Sequence, residues 1–511
     1  MTEQSILIIG AGIAGLSAGC YARMNGYEAQ IFELHDRCGG MVTAWKRNGY
    51  RVDGCIEFLN GSRAGTRFHR LWEELGAVQG RTFVDHEELV RVHGRDGREL
   101  IIYADLEKLE DHLLDLAPED QPLIRELVGA IRAMAAFDPP LDVHPLEMML
   151  EMPRFLKWLN TFNKYNRESL EQFSRRFHSP FLREAFAHIQ PGELPMGSVI
   201  GGLAWNTTRS QGYPLGGSLA FAEAVEKRFH DLGGQIHYKT RVEKIVIEPG
   251  SDGRKPRAVG LRLADGREER GDWVIAACDG YNSLQGLLDG RFVNDDLRKR
   301  YGELPLNPAI LQISLGVNYD LNGAAHSQVD LLPAPLAFGG EEQHSFWYHI
   351  FNYDPTCAPE GHTVVLSRIP TRYDFWKEAS TEAERYTAEK QTVAEALIDH
   401  LETRFPGLRQ AVEMTDVATP LTFERYTAAH RGAKQSFALT PQTAAYAANG
   451  FSPELPGLDR FYQSGMWLQP GGGVFPSARS SREVIRRICK RDGKKFTTQV
   501  IQADPASSLH S

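Results

Sequence analysis

Residues 5–15 read SILIIGAGIAG, and this stretch decides the fold of the N-terminal region. Its first five residues form a compact hydrophobic run of the kind found in buried parallel strands. Three glycines follow at the spacing GxGxxG, then a helix-like stretch from Leu16 to about Asn25, a break at Gly26 and a second strand-like run over 28–33. This order of strand, glycine turn, helix and strand predicts a complete βαβ unit.

The glycine turn of this unit has the composition of a dinucleotide-binding site. Gly10 and Gly12 permit a tight turn and a close approach of main chain to a pyrophosphate, and Gly15 lets helix and strand lie close together. The first turn of the helix, which includes Ala14, offers free N–H groups and a positive dipole end to the phosphates. Glu33, at the end of the second strand, can accept hydrogen bonds from ribose hydroxyls and would repel a 2′-phosphate. The sequence therefore predicts a dinucleotide that is not of the NADP type.

Composition and charge exclude several other classes of protein. A chain of 511 residues is expected to form two or three structural units. Its net charge of −9 argues against nucleic acid as a partner. The six cysteines lack the spacing of a zinc site or a disulfide framework, so we predict no metal site, reduced thiols and a cytoplasmic location. No apolar run reaches the roughly 18–20 residues that a membrane-spanning helix needs.

The residues after Glu33 extend the dinucleotide pattern. Arg37-Cys38-Gly39-Gly40-Met41 completes the spacing ExxxRxGG. This spacing resembles the extended signature of the large superfamily of FAD-containing amine oxidases and phytoene desaturases. The resemblance implies that the dinucleotide is non-covalently bound FAD. It also implies that Gly39, Gly40 and Met41 approach the flavin side of the pyrophosphate, where Arg37 adds a cation.

Two later segments resemble further parts of the same superfamily. The stretch TRVEKI (240–245) is similar to the strand that meets the adenine, with Val242 as its main-chain contact. The stretch YQSGMWLQPGGGVF (462–475) is similar to the C-terminal flavin segment, in which a glycine run leads into a helix N-terminus beside the flavin pyrimidine. The residues that this likeness assigns to the cofactor are Gly465, Met466, Gly472, Gly473 and Val474.

Several shorter matches indicate one branch of the superfamily. GYRVDG (49–54), YPLGGS (213–218), APEGH (358–362) and FPGL (405–408) resemble segments of phytoene desaturases, carotenoid isomerases and retinol saturases. The resemblance implies an FAD-dependent oxidoreductase that acts on carbon–carbon bonds of a small apolar, unsaturated molecule by desaturation, saturation or isomerisation. Two alternatives stay open: an amine oxidase-like enzyme that oxidises a C–N bond, and a flavin-binding protein without turnover. The sequence does not indicate an oligomeric state.

The expected fold is α/β, with a Rossmann-like FAD-binding domain, an inserted α+β substrate domain and a helical subdomain. We assign residues 1–65, 212–290 and 455–490 to a discontinuous FAD-binding domain, 66–105 and 291–454 to the substrate domain, 106–211 to the helical subdomain and 491–511 to a flexible tail.

Catalytic side chains are harder to assign, because a flavin carries the hydride itself. Asp53 and Glu57 follow the flavin-binding turns and are the candidates for acid or base, although Asp53 is equally suited to accept hydrogen bonds within its loop. Trp347, Tyr348 and Trp467 are candidate pocket walls. We expect any lone histidine, such as His349, to be an ordinary core or surface residue.

The segment 146–162 is rich in Met, Leu, Phe and Trp and carries nearby cations. It predicts either a surface helix in peripheral contact with a membrane or a helix that packs in the core. Pro153 and the acidic Glu147 and Glu151 favour the second interpretation.

Overall fold

The structure is a computed structural model that describes residues 3–139, 141, 145–251 and 253–501. Its strands are β1 Ser5–Ile9, β2 Glu28–Phe32, β3 Ala44–Arg47, β4 Tyr50–Asp53, β5 Phe83–Val84, β6 Glu88–His93, β7 Glu99–Tyr103, β8 Tyr213–Pro214, β9 Gln235–His237, β10 Val242–Glu248, β11 Arg257–Leu263, β12 Glu268–Arg270, β13 Trp273–Ala276, β14 Ala309–Val317, β15 Ser327–Phe338, β16 Glu341–Ile350, β17 Thr363–Thr371, β18 Val412–Ala418 and β19 Phe461–Gln463. Its helices are α1 Ile13–Met24, α2 Arg67–Glu74, α3 Leu106–Leu116, α4 Gln121–Ala135, α5 Pro145–Tyr165, α6 Leu170–Ser174, α7 Pro180–Phe186, α8 Met196–Thr207, α9 Gly217–Asp231, α10 Asp295–Glu303, α11 Tyr373–Ala379, α12 Ala383–Arg404, α13 Pro420–Thr427, α14 Ala444–Asn449 and α15 Val474–Arg491.

A parallel five-stranded sheet forms the nucleotide domain, in the order β19-β13-β1-β2-β9. Strand β1 pairs with β2 on one side and β13 on the other, so its Ile6, Leu7 and Ile8 are buried on both faces. This two-sided burial explains why the strand is a continuous hydrophobic run. Helices α1, α9 and α15 pack together on this sheet. The sheet therefore contains the predicted βαβ unit, and its strands come from three separated parts of the chain.

A seven-stranded mixed sheet forms the second domain, in the order β18-β14-β17-β16-β15-β6-β7. Every neighbouring pair is antiparallel except β15 with β6. Helix α12 covers one face with residues such as Leu397 and Leu401. The opposite face meets helices α3–α8 through Val92 and Val329. Near β14 and β17 the same face meets the loop that follows β4.

Helix α2 departs from the predicted domain boundaries. The sequence assigns residues 66–105 to the substrate domain, yet α2 packs in the core of the nucleotide domain. The ring of Phe68 stacks on Phe475 with centroids 3.8 Å apart, and Trp72 is fully buried beside Phe221. Burial of these large aromatic side chains fixes α2 there. Only β6 and β7 of the segment belong to the large sheet.

The C-terminal segment also differs from its prediction as a tail. The Phe496 ring lies 6.0 Å from that of Tyr21, and the Thr497 N–H donates to Asn25 Oδ1 at 2.8 Å. Arg228 donates to the Gln499 carbonyl at 3.1 Å. Residues 494–501 therefore pack on the nucleotide domain, because an aromatic residue and main-chain bonds anchor them. The rest of the predicted tail, 502–511, lies outside the described residues.

Candidate functional site

The first glycine turn leaves no room for side chains between β1 and α1. A Cβ on Gly15 would lie 1.8 Å from the Gly10 carbonyl oxygen, and one on Gly10, where φ is +97°, would lie 3.2 Å from the Ala277 oxygen. Gly12 precedes α1, and no side chain of the described residues caps this helix. The first N–H groups of α1, including that of Ala14, therefore remain free to bind an anion.

Glu33 lies against this turn rather than in solvent. Its Oε2 accepts from the Ala11 N–H at 2.6 Å, and its Oε1 accepts from the His35 N–H at 2.8 Å. The Glu33 carbonyl accepts from Thr240, which leads into β10 and the partly buried Val242. The predicted adenosine-side residues are thus brought together at the carboxyl end of the sheet, where ligands of such folds bind.

The second glycine turn touches the first. The Gly39 N–H donates to the Ala11 carbonyl at 2.9 Å, and a Cβ on Gly40 would lie 3.3 Å from the Gly12 Cα. Met41 follows directly and is partly buried. Arg37 is the exception among the predicted residues. Its side chain is 46% exposed and donates to Asp36 at 3.1 Å, so it forms a surface ion pair and does not reach the turn.

The C-terminal glycine segment closes the other side. A Cβ on Gly465 would lie 3.3 Å from the Ala14 Cβ, and Ser481 Oγ donates to the Ala14 carbonyl at 2.7 Å. Gly472 adjoins Met466, where an added Cβ would come within 2.9 Å of the Met466 side chain. Gly473 precedes α15, whose first residue is Val474, and no described side chain caps this helix.

We name these three glycine segments (10–15, 39–41 and 465–474) the glycine cradle. Its glycines leave the main chain exposed, and the N-termini of α1 and α15 have no side-chain cap. The Glu33 carboxylate lies against the first of these segments. Free N–H groups suit a pyrophosphate and a flavin carbonyl, and the carboxylate suits a ribose. The residues present therefore fit FAD.

Asp53 serves the loop beside this cradle. It is 1% exposed, and its carboxylate accepts from the Ser218 N–H at 2.7 Å, the Ser218 hydroxyl at 2.6 Å and the Cys55 N–H at 3.0 Å. Three donors occupy the carboxylate and fix the start of α9 against β4. Of the two roles that the sequence allows, the structure supports the positioning role and not the catalytic one.

Glu57 stands in a charged group on the large sheet. It forms an ion pair with Arg368, and its Oε2 lies 3.6 Å from His349 Nε2. Burial alone would raise the pKa of Glu57, but electrostatic attraction to His349, Arg368 and Lys434 outweighs it and holds that pKa below its usual range. The side chain is therefore a carboxylate at neutral pH and is not a proton donor.

Arg368 connects this group to the cradle loop. Its Nε donates to Gln312 Oε1 at 3.0 Å and its Nη2 donates to the Asp53 carbonyl at 3.2 Å. Gln312 in turn donates to the same carbonyl at 3.0 Å. Gln312 and Arg368 are direct partners across β14 and β17, so they share one face of the sheet.

We name the group formed by Glu57, Gln312, His349, Arg368 and Lys434 the sheet-face pocket. Sequence reasoning found only Glu57. The sequence does contain a signal for two of the other members. Gln312 and Arg368 each interrupt a strand that is otherwise largely apolar. Polar residues are seldom buried in strands without a partner or a function, so such positions are candidates for a site. The interpretation of His349 as an ordinary core residue missed its contact with Glu57.

The three aromatic wall candidates fall in different places. Trp347 lies on the pocket face, 6.0 Å from His349 between ring centroids. Tyr348 points to the opposite face, where it donates to Asp330 at 3.0 Å beneath α12. Trp467 is buried and stacks on Tyr301 with centroids 5.9 Å apart. Only Trp347 shares the face of the pocket, because side chains of one strand alternate between faces.

A stacked pair of histidines adjoins His349. The rings of His86 and His326 lie 3.4 Å apart and are inclined by 8°. Burial is the largest cause that lowers the pKa of His86 to about 4 and that of His326 well below its usual value, and the neighbouring imidazoles add to it. Both imidazoles are therefore neutral at physiological pH.

Comparisons with known proteins agree with the cradle. The family described as "Flavin containing amine oxidoreductase" matches residues 13–485. The chain belongs to this family. It is an FAD-dependent oxidoreductase, and Gly15, Glu33 and the segment 465–474 all lie within the matched range.

Relatives of this flavoenzyme match almost its whole length. A phytoene desaturase (neurosporene-forming) of Rhodobacter capsulatus is 25% identical over 94% of this chain and 93% of its own. A chloroplastic prolycopene isomerase of Daucus carota is 23% identical over 98% of this chain and 82% of its own.

Solved structures share its fold. An oxidoreductase from Methanosarcina mazei covers 94% of this chain and 100% of its own, with a TM-score of 0.60 at 19% identity. The cyclohexylamine oxidase from Brevibacterium oxydans covers 95% and 100%, with a TM-score of 0.57 at 14% identity. At these identities the likeness concerns the fold alone.

Proposed function

We propose that this flavoenzyme acts on carbon–carbon bonds of an apolar, unsaturated substrate by desaturation, saturation or isomerisation. The observation that carries the proposal is the match, over more than 90% of the chain, to relatives named for desaturating phytoene or isomerising prolycopene. Amine-oxidising enzymes are similar to it in fold only.

FAD, when bound, accepts or returns a hydride, so the protein needs no nucleophile of its own. The glycine cradle and Glu33 would hold its pyrophosphate and ribose. Asp53 and Arg368 keep the adjoining loop in place through Ser218 and the Asp53 carbonyl. The large sheet beside them carries buried residues such as Leu366, which packs with Tyr50 and Val52 of β4.

The proposed FAD linkage is non-covalent. The segment 464–474 contains neither cysteine nor histidine, the side chains that could form a covalent flavin bond there. Acid precipitation of the yellow protein should leave all flavin in the supernatant. Flavin that stays with the precipitated protein would contradict this linkage.

Anaerobic bleaching of the flavin tests the proposed chemistry. Purified FAD-loaded protein is mixed with a panel of conjugated polyenes and a panel of primary and secondary amines, and absorbance near 450 nm is followed. To include redox-neutral isomerisation, polyene products are separated after incubation with oxidised and with reduced flavin. We expect conversion of at least one polyene and of no amine. Bleaching by amines alone would replace this proposal by amine oxidation, and no reaction with either panel would favour a flavin-binding protein without turnover.

We also propose that α5 makes peripheral contact with a membrane. Met149, Leu150 and Leu156 are 61%, 75% and 47% exposed, respectively. The helix continues through Pro153. Exposed apolar side chains on one helix are typical of interfacial binding.

In the sequence, the acidic residues of α5 argue against membrane contact, but the structure weakens that argument. Arg67 of α2 donates to both Glu147 and Glu151 at 2.7 Å, so their charge is partly neutralised from the neighbouring helix. None of the helices in the described ranges is long and apolar enough to cross a membrane. The proposed contact is therefore confined to the surface of the bilayer.

Co-sedimentation with vesicles of neutral and anionic phospholipid tests the contact. Leu150→Glu should lower the bound fraction several-fold, because it places a charge on the most exposed apolar position. Leu336→Glu is the matched control, since Leu336 is 39% exposed on β15. Equal binding of both variants and the parent protein would exclude α5 as the contact.

A further inference from the structure

A cavity of about 420 Å³ opens at the C-terminal end of α8. Three segments of the chain form its walls. Ser62 and Arg63 come from the loop before α2, Phe83 and Asp85 come from β5 and the loop after it, and residues 207–209 come from the end of α8. None of these residues belongs to the glycine cradle or to the sheet-face pocket. We name this space the α8 cavity.

Hydrogen bonds hold two of these walls together. The Gly61 N–H donates to the Ser210 carbonyl at 2.8 Å, and the Gly212 N–H donates to Ser62 Oγ at 2.8 Å. The loop before α2 and the residues after α8 therefore form one fixed wall. The positions of the side chains that this wall carries are set by the fold.

Arg209 occupies a main-chain position that glycine usually takes. Helix α8 ends in a Schellman motif, in which the Arg209 N–H donates to the Asn206 carbonyl at 2.9 Å and the Ser210 N–H donates to the Trp205 carbonyl at 2.8 Å. The φ of Arg209 is +54°, in the left-handed region that disfavours residues with a Cβ. An arginine is less stable here than a glycine, but it adds a cationic side chain to the α8 cavity.

Three charged residues line the α8 cavity. Within the described ranges, Arg63, Asp85 and Arg209 have no oppositely charged side-chain atom within 4.0 Å. All three are exposed, so a ligand can reach them. Arg63 Nη1 donates to the Thr208 carbonyl at 3.2 Å, and a Cβ on Gly212 would lie 2.8 Å from Asp85 Oδ1. The cavity thus offers two cations and one separate anion, a net charge of +1.

The α8 cavity adjoins the start of α2, the helix that holds α5. The hydroxyl of Thr66, the N-cap residue of α2, donates to the Arg63 carbonyl at 2.8 Å. The next residue, Arg67, donates to Glu147 and Glu151 of α5, both at 2.7 Å. One turn of chain therefore connects a wall of the cavity to the helix that we propose to contact a membrane.

We infer that the α8 cavity binds the phosphoethanolamine headgroup of a membrane lipid. The guanidinium groups of Arg63 and Arg209 suit its phosphate, and the Asp85 carboxylate suits its ammonium. Phosphocholine has no N–H group to donate to Asp85, and phosphoglycerol has no cation. This inference rests on the proposed membrane contact of α5 and names the lipid that the contact recognises.

Soluble headgroups test the cavity without a membrane. FAD-loaded protein is titrated by calorimetry with glycerophosphoethanolamine, glycerophosphocholine, glycerophosphoglycerol and inorganic phosphate. We expect glycerophosphoethanolamine to bind at least about fivefold more tightly than each of the others, because it alone donates charge-assisted hydrogen bonds to Asp85 while its phosphate accepts from the arginines. Tightest binding of another probe, equal affinity for all four, or no binding would overturn the inference.

Arg209→Gly separates recognition from a structural role. Glycine removes the cation and suits the left-handed main chain, so this variant should unfold at a higher temperature than the parent. It should nevertheless bind glycerophosphoethanolamine about tenfold less tightly, because one charge-assisted bond is lost. Arg262→Gln is the matched control, since it removes the same charge from an exposed position on β11. Parent-like binding by Arg209→Gly, or an equal loss in Arg262→Gln, would contradict the inference.

Asp85→Asn tests the recognition of the ammonium. The variant should bind glycerophosphoethanolamine and glycerophosphocholine with affinities within about twofold of each other, because the charged acceptor for the N–H groups is gone. Its affinity for glycerophosphoglycerol should not fall, since that probe has no cation. A preference for glycerophosphoethanolamine that survives in the folded variant would show that Asp85 does not bind the headgroup and would overturn the inference.

Vesicles distinguish this site from the contact of α5. Co-sedimentation is compared for phosphatidylcholine alone and for equal parts of phosphatidylcholine and phosphatidylethanolamine. The parent should prefer the mixed vesicles, Arg209→Gly should lose that preference, and Leu150→Glu should bind both kinds more weakly but keep it. Weak binding of Leu150→Glu without any preference in the parent would overturn the headgroup site and leave the α5 contact intact. A preference that depends on Arg209, with no effect of Leu150→Glu, would support the headgroup site and refute contact through α5.

Discussion

The glycine cradle and the sheet-face pocket lie side by side but are built in opposite ways. The cradle is made of main chain: its glycines remove side chains so that N–H groups of α1 and α15 are exposed to a ligand. The pocket is made of side chains from three strands and two loops, held by ion pairs and amide hydrogen bonds. Substitution of a cradle glycine would therefore place side-chain atoms where the main chain must pack closely. Substitution in the pocket would instead remove a particular charge or hydrogen bond.

The largest expected effect is in the cradle, at Gly15. Gly15→Ala places a Cβ 1.8 Å from the Gly10 carbonyl oxygen, a main-chain atom that cannot move without separating β1 from α1. We expect a loss of about 4 kcal/mol or more in the free energy of unfolding and protein that purifies without flavin. Denaturant unfolding and flavin absorbance measure both.

Gly129→Ala is the matched control for this change. Gly129 lies inside α4, and an added Cβ would meet nothing within 4 Å. Alanine should therefore stabilise the helix slightly. If Gly15→Ala were as stable and as yellow as Gly129→Ala, the close contact of strand and helix would not be what the cradle requires.

The next largest effect is expected at Asp53, where the loop of the pocket is fixed. Asp53→Asn replaces the carboxylate that accepts from both groups of Ser218 and from Cys55. We expect a loss of roughly 2–4 kcal/mol in unfolding free energy, because buried donors lose a charged acceptor. The rate per bound flavin should change less than about threefold at a temperature where the variant is folded. A rate lowered by about a thousandfold in stable protein would restore the catalytic role for Asp53.

A smaller effect is expected at the adenosine end of the cradle. Glu33→Gln keeps the size of the side chain but removes the charge that the Ala11 N–H and a ribose would share. FAD affinity should fall about tenfold to thirtyfold, since one charge-assisted bond is weakened. Arg37→Ala is the comparison, because Arg37 only pairs with Asp36 at the surface and should change affinity less than twofold. Fluorescence titration of FAD into the apoprotein would show the difference, and equal losses would mean that Arg37 reaches the pyrophosphate.

These two regions also differ in how far the sequence predicts them. The cradle can be predicted from local sequence patterns. Each glycine segment predicts a turn, and the residues directly before or after it predict the adjoining strand or helix. The structure brings its glycine segments and Glu33 together, whereas the Arg37 side chain pairs with the neighbouring Asp36. The pocket depends on register. Gln312 and Arg368 are partners across two strands 56 residues apart in the chain, and no local pattern fixes such a pairing.

The same limit explains the other differences. Helix α2 has no local signal for the domain in which it packs, because its position depends on Phe475 near the end of the chain. Residues 494–501 have the composition of a polar tail, yet Phe496 contacts Tyr21 of α1 and Thr497 donates to Asn25, the residue that follows α1. The order of the sequence does not reveal these partners. Long-range contacts of this kind are decided by tertiary structure rather than by local preference.

The smallest expected effect concerns Asp279, which joins the two regions. It follows β13 of the nucleotide sheet, and its Oδ2 accepts from the His430 N–H at 3.0 Å in the loop that leads to Lys434. Burial raises the pKa of Asp279 to about 6, although main-chain donors oppose the rise. Its unfolded pKa is about 3.9, so the folded protein binds the proton more tightly. Stability from this group therefore increases as pH falls from about 7 to 4, the reverse of an ion-paired carboxylate.

Asp279→Asn removes this titration while keeping an acceptor for the His430 N–H. Unfolding free energies of the parent and the variant should be measured between pH 7.5 and 5. The parent should gain roughly 1–2 kcal/mol relative to the variant as the pH is lowered, because only the parent takes up a proton on folding. Histidines that titrate in the same range contribute equally to both proteins and cancel in the difference. A difference that does not vary with pH, or that varies in the opposite direction, would show that Asp279 is charged in the folded protein. In that case the hydrogen bond from His430 to Asp279 would be accepted by an ionised carboxylate, which its main-chain donors keep charged.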